Sequence, residues 1–360
     1  MPSHTFTSLA ATLAAAGHPL LELSAPDRGA LLVLPFGGRI LGLFSEPDGD
    51  NYLWTHPALD TAASARDFFA APGWRHFGGD RIWVSPEVET HIGDLADPWN
   101  TYAPAVSVDP GDYSASARPG AIDLSNRAVV RFLRAQLDVP LQISRSVRLL
   151  ADPLRTVPEL AALPGVTYAG YEQSSTLRLE APASAPLVSL WSLAVVPVAG
   201  WMIVPTPELI SARDFFVPTP SERLISTPHA VHFRIDGQEQ HKIGLPAAAL
   251  LGRAGYLRAL GPGRRSLLVR QWVVNPSADY TDTPWEARHE PGYAFESYNE
   301  GPSLPAFGEL EYHTLAIGGA TDQAALTDVS QLWAYAGPAA AIEAIGRRLL
   351  GVDTLPVMAD

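Results

Sequence analysis

The sequence predicts an all-β protein, a sandwich or barrel of strands with one short helix near each end. Short apolar runs recur along the chain and are separated by Gly, Pro and Asp, which is typical of such folds. Strands and helices do not alternate, so a doubly wound sheet is not expected. The 29 Gly and 33 Pro residues supply many turns, yet they stay below the content of a disordered chain.

The predicted strands are the apolar runs between these turn residues. They are Leu20–Leu23, Ala30–Pro35, Arg39–Phe44, Arg81–Val84, Val129–Leu133, Val139–Ser144, Ser146–Leu150, Val188–Val196, Val231–Ile235, Leu267–Val274, Gly308–Leu315 and Val329–Ala336. The first helix has Leu9, Leu13 and Ala16 on one face and ends before Gly17. A last helix is predicted over Pro338 to Leu350, with an apolar face that packs on the sheets.

Two segments between the strands predict long loops that carry many aromatic side chains. One covers residues 48–75 and the other covers residues 275–301. Long loops in compact domains are usually lids or binding loops. Their aromatic rings either stack on a sugar ring or fasten the loops to the core, and the sequence leaves both interpretations open.

Length and composition limit the classes of function. The 360 residues, 47% of them hydrophobic, can bury a core without a disulfide or metal, and we expect one domain over residues 1–360. The absence of cysteine excludes thiol catalysis and Cys–Zn sites. The net charge of −13 argues against nucleic acid and anionic membranes as partners. No Lys or Arg precedes Arg28, whereas a signal peptide needs a positively charged start, so we expect an N-terminal helix and a cytoplasmic protein.

Three segments carry more information than the rest of the chain. They begin at Gly37, Phe77 and Glu296, and they include the runs GGRILGLF, GGDRIWVSPE and FGELEYHTLAIGG. Together with LWSLAVV in mid-chain, and in this order, they resemble a bacterial branch of the galactose mutarotase-like (aldose 1-epimerase-like) superfamily. The resemblance implies a β-supersandwich of large antiparallel sheets with a carbohydrate site on a concave sheet face.

The resemblance also implies an acid–base pair that opens a sugar ring. A glutamate on a late strand takes the proton of the anomeric hydroxyl, and a mid-chain histidine protonates the ring oxygen. Glu311 matches the position of that base. Trp191 stands about where the histidine is expected, so the acid role passes to Glu309 or to a nearby histidine.

The late strand can also be interpreted from its own residues. Glu309, Glu311 and His313 alternate with Leu310 and Tyr312, and residues two apart on a strand point to the same face. The three polar side chains therefore form a solvated face, an acid–base cluster in a pocket, or a metal site. We take the acid–base cluster as the catalytic hypothesis, with no metal and no cofactor.

A second group of residues is predicted to bind the substrate. Lys242 is the only lysine in the sequence, which suits a position where a compact ammonium group is required. Arg81 and Trp83 share a strand face, where a guanidinium group lies beside a stacking plane. The complete predicted set is Arg81, Trp83, Glu87, Trp191, Lys242, Tyr298, Asn299 and Glu300.

These observations together predict a carbohydrate-active protein. Its expected partner is a small carbohydrate, a monosaccharide or glycoside, and its chemistry is of the aldose 1-epimerase type. Two alternatives stay open, namely a glycoside hydrolase or lyase on the same scaffold and a sugar-binding protein without catalysis. The oligomeric state is not predicted.

Overall fold

Two large antiparallel β-sheets dominate the computed structural model, which describes residues 4–302, 305–321 and 323–358. This confirms the all-β sandwich that the sequence predicts. The strands, in chain order, are β1 Leu21–Ala25, β2 Gly29–Leu34, β3 Arg39–Phe44, β4 Asp80–Ser85, β5 Ser114–Arg118, β6 Ala121–Phe132, β7 Leu137–Leu149, β8 Thr167–Leu179, β9 Ser189–Pro197, β10 Gly200–Pro205, β11 Arg213–Asp214, β12 Leu224–Thr227, β13 Ala230–Ile235, β14 His241–Pro246, β15 Arg253–Gly261, β16 Arg264–Gln271, β17 Tyr293–Asn299, β18 Phe307–His313 and β19 Ala325–Pro338.

The strands divide into a first sheet of nine and a second sheet of ten. The first sheet has the order β1-β2-β3-β4-β9-β18-β17-β14-β11. The second has the order β12-β13-β10-β15-β16-β19-β8-β7-β6-β5. The centre of the first sheet therefore joins β4, β9, β18 and β17, which come from distant parts of the chain.

The main hydrophobic core lies between the two sheets. Leu310 and Tyr312 on β18 belong to it, together with Tyr171 on β8 and Leu268 on β16. The hydroxyl of Tyr312 donates a 2.7 Å hydrogen bond to Asp328 on β19, across the sandwich. We call the face of the first sheet that points away from this core the outer face.

In the described part of the chain, four α-helices lie around the sheets, at α1 Phe6–Ala15, α2 Ala62–Ala70, α3 Glu87–Thr90 and α4 Ala339–Leu350. The first begins with a capping box between Thr5 and Ser8, and it buries Leu9 and Leu13 as predicted. The last ends at Gly351, whose φ of 71° places it in the left-handed conformation of a helix C-terminus. Among the residues described, none of the helices is long and apolar enough to cross a membrane.

A charged network crosses the core between the sheets. Asp80 on β4 is fully buried and forms ion pairs with Arg145 on β7 and Arg270 on β16. Its carboxylate also accepts a hydrogen bond from the Tyr171 hydroxyl, and Gln173 contacts Arg145. Removing one member of such a buried set typically costs about 3–5 kcal/mol, because the remaining charge is left unpaired.

Some of the predicted elements are wrong in extent or type. The runs Val139–Ser144 and Ser146–Leu150 form a single strand, because Arg145 between them faces the core and pairs with Asp80. The predicted loop over residues 275–301 contains β17, and the loop over residues 48–75 contains α2. In both segments, aromatic side chains that we assigned to loops belong to regular structure.

Candidate functional site

The outer face of the first sheet gathers most of the predicted site residues. Glu309, Glu311 and His313 lie on this face of β18, opposite to the core residues Leu310 and Tyr312. The neighbouring strands align their own side chains with them, because β18 pairs with β9 on one side and with β17 on the other. The register sets Glu311 opposite Glu296, Glu309 opposite Tyr298, and His313 opposite Trp191.

A first group, which we call the Glu309 cluster, consists of Glu309, Arg81 and His76. Glu309 Oε1 lies 2.8 Å from Arg81 Nη2 and 3.1 Å from His76 Nε2. Burial alone raises the pKa of Glu309, but the charge of Arg81 and the hydrogen bond of His76 outweigh it and lower the pKa to about 2. Burial and the positive charge of Arg81 lower the pKa of His76 to about 4. Glu309 is therefore ionised and His76 neutral at pH 7.

A second group, the Lys242 cluster, surrounds the only lysine with carboxyl groups. Lys242 Nζ lies 2.7 Å from Glu296, 2.9 Å from Glu87 and 3.6 Å from Glu311, in each case measured to Oε2. Burial lowers the pKa of Lys242, but the surrounding carboxylates outweigh this and raise the pKa well above its ordinary value. Glu311 is fully buried. Burial raises the pKa of the Glu311 carboxyl group well above its ordinary value, although the charge of Lys242 acts to lower it. The negative charges of Glu309 and Glu296 add to the rise.

Asp282 and His313 complete the Lys242 cluster. Asp282 comes from the segment before β17, and its Oδ1 accepts a hydrogen bond from the backbone N–H of Glu87. The Nδ1 atom of His313 lies 3.1 Å from Ser85 Oγ, and its Nε2 atom lies 3.4 Å from Glu296 Oε2. Burial lowers the pKa of His313 to about 4, so its imidazole is neutral at pH 7.

Trp191 and Trp83 form an aromatic wall beside these groups. The Trp191 Nε1 atom donates a 2.9 Å hydrogen bond to Glu311, and its ring stacks on His313 at 5.4 Å between centroids. Lys242 Nζ lies 4.6 Å from the centre of the same ring. Trp83 contacts the guanidinium group of Arg81 and donates to Asp109. Both tryptophans are only 2% exposed, so they support charged side chains and do not offer the open stacking planes that the sequence predicted.

Other aromatic side chains are exposed close to the Lys242 cluster. Phe215 lies over the Lys242 ammonium at 5.1 Å, and the next residue, Phe216, is 42% exposed. Trp99, which is 56% exposed, contacts both Phe216 and Trp285 edge-on at 6.2 Å. We call Trp99, Phe216 and Trp285 the aromatic rim. Of the three, only Trp285 lies in a segment that the sequence analysis singled out.

The remaining predicted binding residues differ in their placement. Glu87 accepts a 2.6 Å hydrogen bond from Tyr102, in addition to its contact with Lys242, and so belongs to the Lys242 cluster. Tyr298 shares the outer face with Glu309, and its hydroxyl donates to Glu300 at 2.8 Å.

Asn299 lies apart from the two clusters. It points to the opposite face of β17 from Glu296. Its side-chain oxygen accepts from the backbone N–H groups of Asp236 and Gly237 at 2.9 Å, and its amide nitrogen donates to the carbonyl of Glu239. These bonds use its amide group to hold a turn, and its role in substrate binding stays a prediction.

Three residues of the two clusters were missed by the sequence analysis. Glu296, Tyr298 and Glu300 are spaced two residues apart, as residues on one face of a strand are. This spacing points to Glu296 once β17 is recognised as a strand. His76 and Asp282 come from irregular segments, the first before β4 and the second before β17. No periodic pattern marks such residues, because only the tertiary fold brings them to the strands.

The arrangement is suited to moving protons. Glu309 and Glu311 lie on one strand face, and their surroundings displace the two pKa values in opposite directions. Pairs of this kind commonly divide the roles of acid and base in enzymes. The electrostatics favour Glu311 as the group that holds a proton and Glu309 as the anion, which reverses the roles that the sequence analysis assigned to them.

Cavities also lie elsewhere among the described residues. One of about 410 Å³ crosses β5 to β8 of the second sheet, and most of its lining residues are serines, such as Ser125, Ser144 and Ser174. Another of about 260 Å³ lies near Tyr52 and Tyr256. Serine hydroxyls bind ligands but do not ionise near neutral pH. We therefore place the candidate for catalysis at the two clusters on the first sheet.

Several solved structures are similar to this fold. A galactose mutarotase-like protein from Lactobacillus casei shares 10% sequence identity over 88% of this chain and 99% of its own, with a TM-score of 0.43. The GalM/aldose epimerase homologue from C. elegans has 10% identity over 89% and 99% of the two chains, with a TM-score of 0.44. Galactose 1-epimerase from Lactobacillus acidophilus has 10% identity over 88% and 93%, with a TM-score of 0.41. TM-scores below 0.5 do not indicate which residues of this chain act.

A comparison with curated proteins found no relative of this sequence. A family model does match, and it extends over residues 4–359, which is nearly the whole chain. Both clusters and the aromatic rim lie within the matched residues. The chain therefore belongs to the family of unknown function DUF6786.

Proposed function

We propose that this protein binds an aldose sugar and interconverts its anomers by acid–base catalysis at the Glu309 and Lys242 clusters. The observation that supports the proposal most directly is the pair of carboxyl groups on β18, with a low pKa at Glu309 and a raised pKa at Glu311. Ring opening of an aldose needs one group that donates a proton and one that accepts a proton.

In the proposed reaction, the protein donates one proton to the sugar and accepts one proton from it. Glu311, in its protonated form, gives its proton to the ring oxygen of the sugar. The ionised Glu309, with the neutral His76 beside it, takes the proton of the anomeric hydroxyl. The bond between the anomeric carbon and the ring oxygen then breaks, which leaves an open-chain aldehyde. Rotation about the bond between C1 and C2, followed by the reverse transfers, closes the ring as the other anomer.

The other residues of the site support binding and charge balance. Trp99 and Phe216 of the aromatic rim are exposed, and their ring faces can stack on the C–H groups of a sugar. Lys242 limits the repulsion among the carboxylates, and Trp191 holds Glu311 in one orientation through its Nε1–H group. Arg81 keeps Glu309 ionised.

The proposal is tested by measuring anomer exchange with a panel of aldoses, for example by NMR exchange spectroscopy. The wild-type protein is compared with Glu311→Gln and with the matched control Glu22→Gln, which changes an exposed glutamate on β1 of the same sheet. General acid catalysis contributes about 10²–10⁴-fold, so Glu311→Gln should lower the rate by that factor and Glu22→Gln should not.

The alternatives from the sequence give different outcomes in the same set of assays. Release of a reducing sugar from aryl glycosides, without anomer exchange, contradicts the proposal and favours a glycoside hydrolase. Saturable sugar binding with no turnover favours a binding protein. Equal anomer exchange rates for wild type and Glu311→Gln would remove Glu311 from the mechanism.

We also propose that the partner is a small carbohydrate and that neither nucleic acid nor a membrane surface is bound. The net charge of −13 supports both exclusions, since it repels other polyanions. Action in the cytoplasm and a single domain over residues 1–360 stay predictions from the sequence.

A further inference from the structure

We propose that Asp282, Glu296 and His313 bind a divalent first-row transition-metal ion on the outer face of the first sheet. Each of the three offers one ligand atom, and these atoms lie within 4.8 Å of one another. All three residues are fully buried. The site shares the Lys242 cluster with the proposed sugar chemistry, but metal binding is measured without sugar, so the failure of one proposal is distinguishable from the failure of the other.

Atoms without hydrogen-bond partners point to this site. Asp282 Oδ2, Glu296 Oε1 and His313 Nε2 have almost no exposed surface, and none of them forms a hydrogen bond within the described structure. A buried polar atom without a partner destabilises the folded state. Three such atoms from three separate segments, all within 4.8 Å of one another, form an arrangement that a bound cation can satisfy.

In two of these side chains, the second polar atom has a hydrogen-bond contact, as is common in metal ligands. His313 Nδ1 lies 3.1 Å from Ser85 Oγ, which can accept its proton and leave the Nε2 lone pair directed at the carboxylates. Asp282 Oδ1 accepts the backbone N–H of Glu87. Histidine and carboxylate ligands of metals are typically oriented by such hydrogen bonds on their far side.

The charge balance of the Lys242 cluster also favours a cation. Three carboxyl groups, from Glu87, Glu296 and Glu311, contact the one ammonium group of Lys242, and the Asp282 carboxyl group lies close to that of Glu296. Buried charges of one sign require either bound protons or a counter-ion. Lys242 contacts Glu296 through Oε2, which leaves Oε1 of the same carboxylate available to a metal.

The donor set indicates the class of metal. One imidazole nitrogen and two carboxylates suit Mn²⁺, Fe²⁺ or Zn²⁺ better than Ca²⁺ or Mg²⁺, which prefer oxygen ligands only. Three protein ligands leave at least one position for water or a ligand. The set differs from the Glu309, Glu311 and His313 trio that the sequence suggested, since only His313 is common to both.

The test measures the metal directly. The full chain, purified without chelators, is analysed by inductively coupled plasma mass spectrometry, and chelator-treated protein is titrated calorimetrically with Mn²⁺ and with Zn²⁺. We expect about one equivalent of metal and a rise in melting temperature on addition, reversed by chelator. Asp282→Asn and His313→Gln should each weaken binding at least tenfold, whereas the exposed Glu22→Gln should not.

Two results would overturn the proposal. One is the absence of stoichiometric metal together with no thermal shift at millimolar Mn²⁺ or Zn²⁺, which means that the carboxyl groups hold protons instead. The other is unchanged affinity in both variants, which places any bound metal elsewhere. If the variants do not fold, anomalous diffraction from wild-type crystals grown with Mn²⁺ locates the ion, and a position away from His313 contradicts the proposal.

Discussion

The indole N–H of Trp191 donates a 2.9 Å hydrogen bond to Glu311, and the two residues lie on neighbouring strands, β9 and β18. Trp191 occupies the position at which the sequence resemblance calls for an acid histidine. The tryptophan cannot donate a proton to a substrate, since its N–H group does not ionise in this range. It instead fixes the orientation of the buried carboxyl group that we propose as the acid.

Replacing Trp191 with phenylalanine should therefore affect Glu311 more than the packing. Trp191→Phe keeps an aromatic ring against His313 but removes the donor, which leaves a buried oxygen without its partner. We expect a loss of about 1–3 kcal/mol in the free energy of unfolding, measured by urea denaturation. Trp201→Phe, on β10 of the second sheet, is the control for loss of ring size; equal losses would indicate packing alone.

Lys242→Met should destabilise the protein strongly at neutral pH. The change leaves Glu87, Glu296 and Glu311 without their shared cation, and breaking a buried ion pair in this way typically costs about 3–5 kcal/mol. Lys242→Arg retains the charge and should recover much of this loss. Urea unfolding at pH 7 measures both variants.

The loss in Lys242→Met should also depend on pH. In the wild type, burial raises the pKa of Glu87, but the charge of Lys242 and other neighbouring groups outweigh it and hold this pKa below the ordinary 4.5. The ionised Glu87 therefore stabilises the fold above pH 4.5, and Lys242→Met loses most of this contribution there. The difference between wild type and variant should therefore shrink as the pH falls toward 4. A difference that is constant with pH would contradict the electrostatic origin of the loss.

Glu309→Gln should alter the acid sensitivity of the protein. The folded-state pKa of Glu309 is about 2, below its ordinary value of 4.5, so its carboxylate stabilises the fold above pH 4.5 and loses this effect as the pH falls through 2. The shift corresponds to about 3 kcal/mol. Wild type should exceed Glu309→Gln by roughly this amount at pH 7 and by progressively less below pH 4.5, whereas Glu22→Gln should show no such trend.

Asn299→Ala tests whether Asn299 contributes to stability and not to sugar binding or catalysis. The change removes the hydrogen bonds that hold the turn between Asp236 and Glu239, so we expect a loss of about 1–3 kcal/mol in stability. Sugar binding and anomer exchange should not change, because Asn299 faces away from both clusters. A large loss of activity at unchanged stability would return Asn299 to the site.

The strands that the sequence predicted best are those with a continuous apolar pattern. Strand β3 has the predicted bounds, Arg39–Phe44. Strand β8 was missed, because two residues of its inner face are polar. Gln173 and Ser175 occupy buried positions there, and Gln173 bonds to Arg145 in the network between the sheets. A search for apolar patterns misses a strand whose core-facing residues are polar.

The part of the candidate site that lies on the single strand β18 was predictable from the sequence. The alternation of Glu309, Glu311 and His313 gave the shared face of β18, and Arg81 was expected near it. The sequence could not supply His76 or Asp282, which approach this face from segments without regular structure. Nor could it supply the sign of the pKa shift at Glu311, since that shift arises from burial and from neighbouring carboxylates.

The charges on the two faces of β4 have a consequence for how the first sheet is assembled. Asp80 points inward to Arg145 and Arg270, and the next residue, Arg81, points outward to Glu309. A slip of β4 by one residue exchanges the two faces. Such a slip would bring an aspartate against Glu309 and an arginine between two other arginines. Both contacts would be repulsive, so the misaligned pairing is disfavoured on both faces of the sheet. Asp80 and Arg81 therefore favour the correct pairing of β4 during folding, in addition to orienting the candidate site.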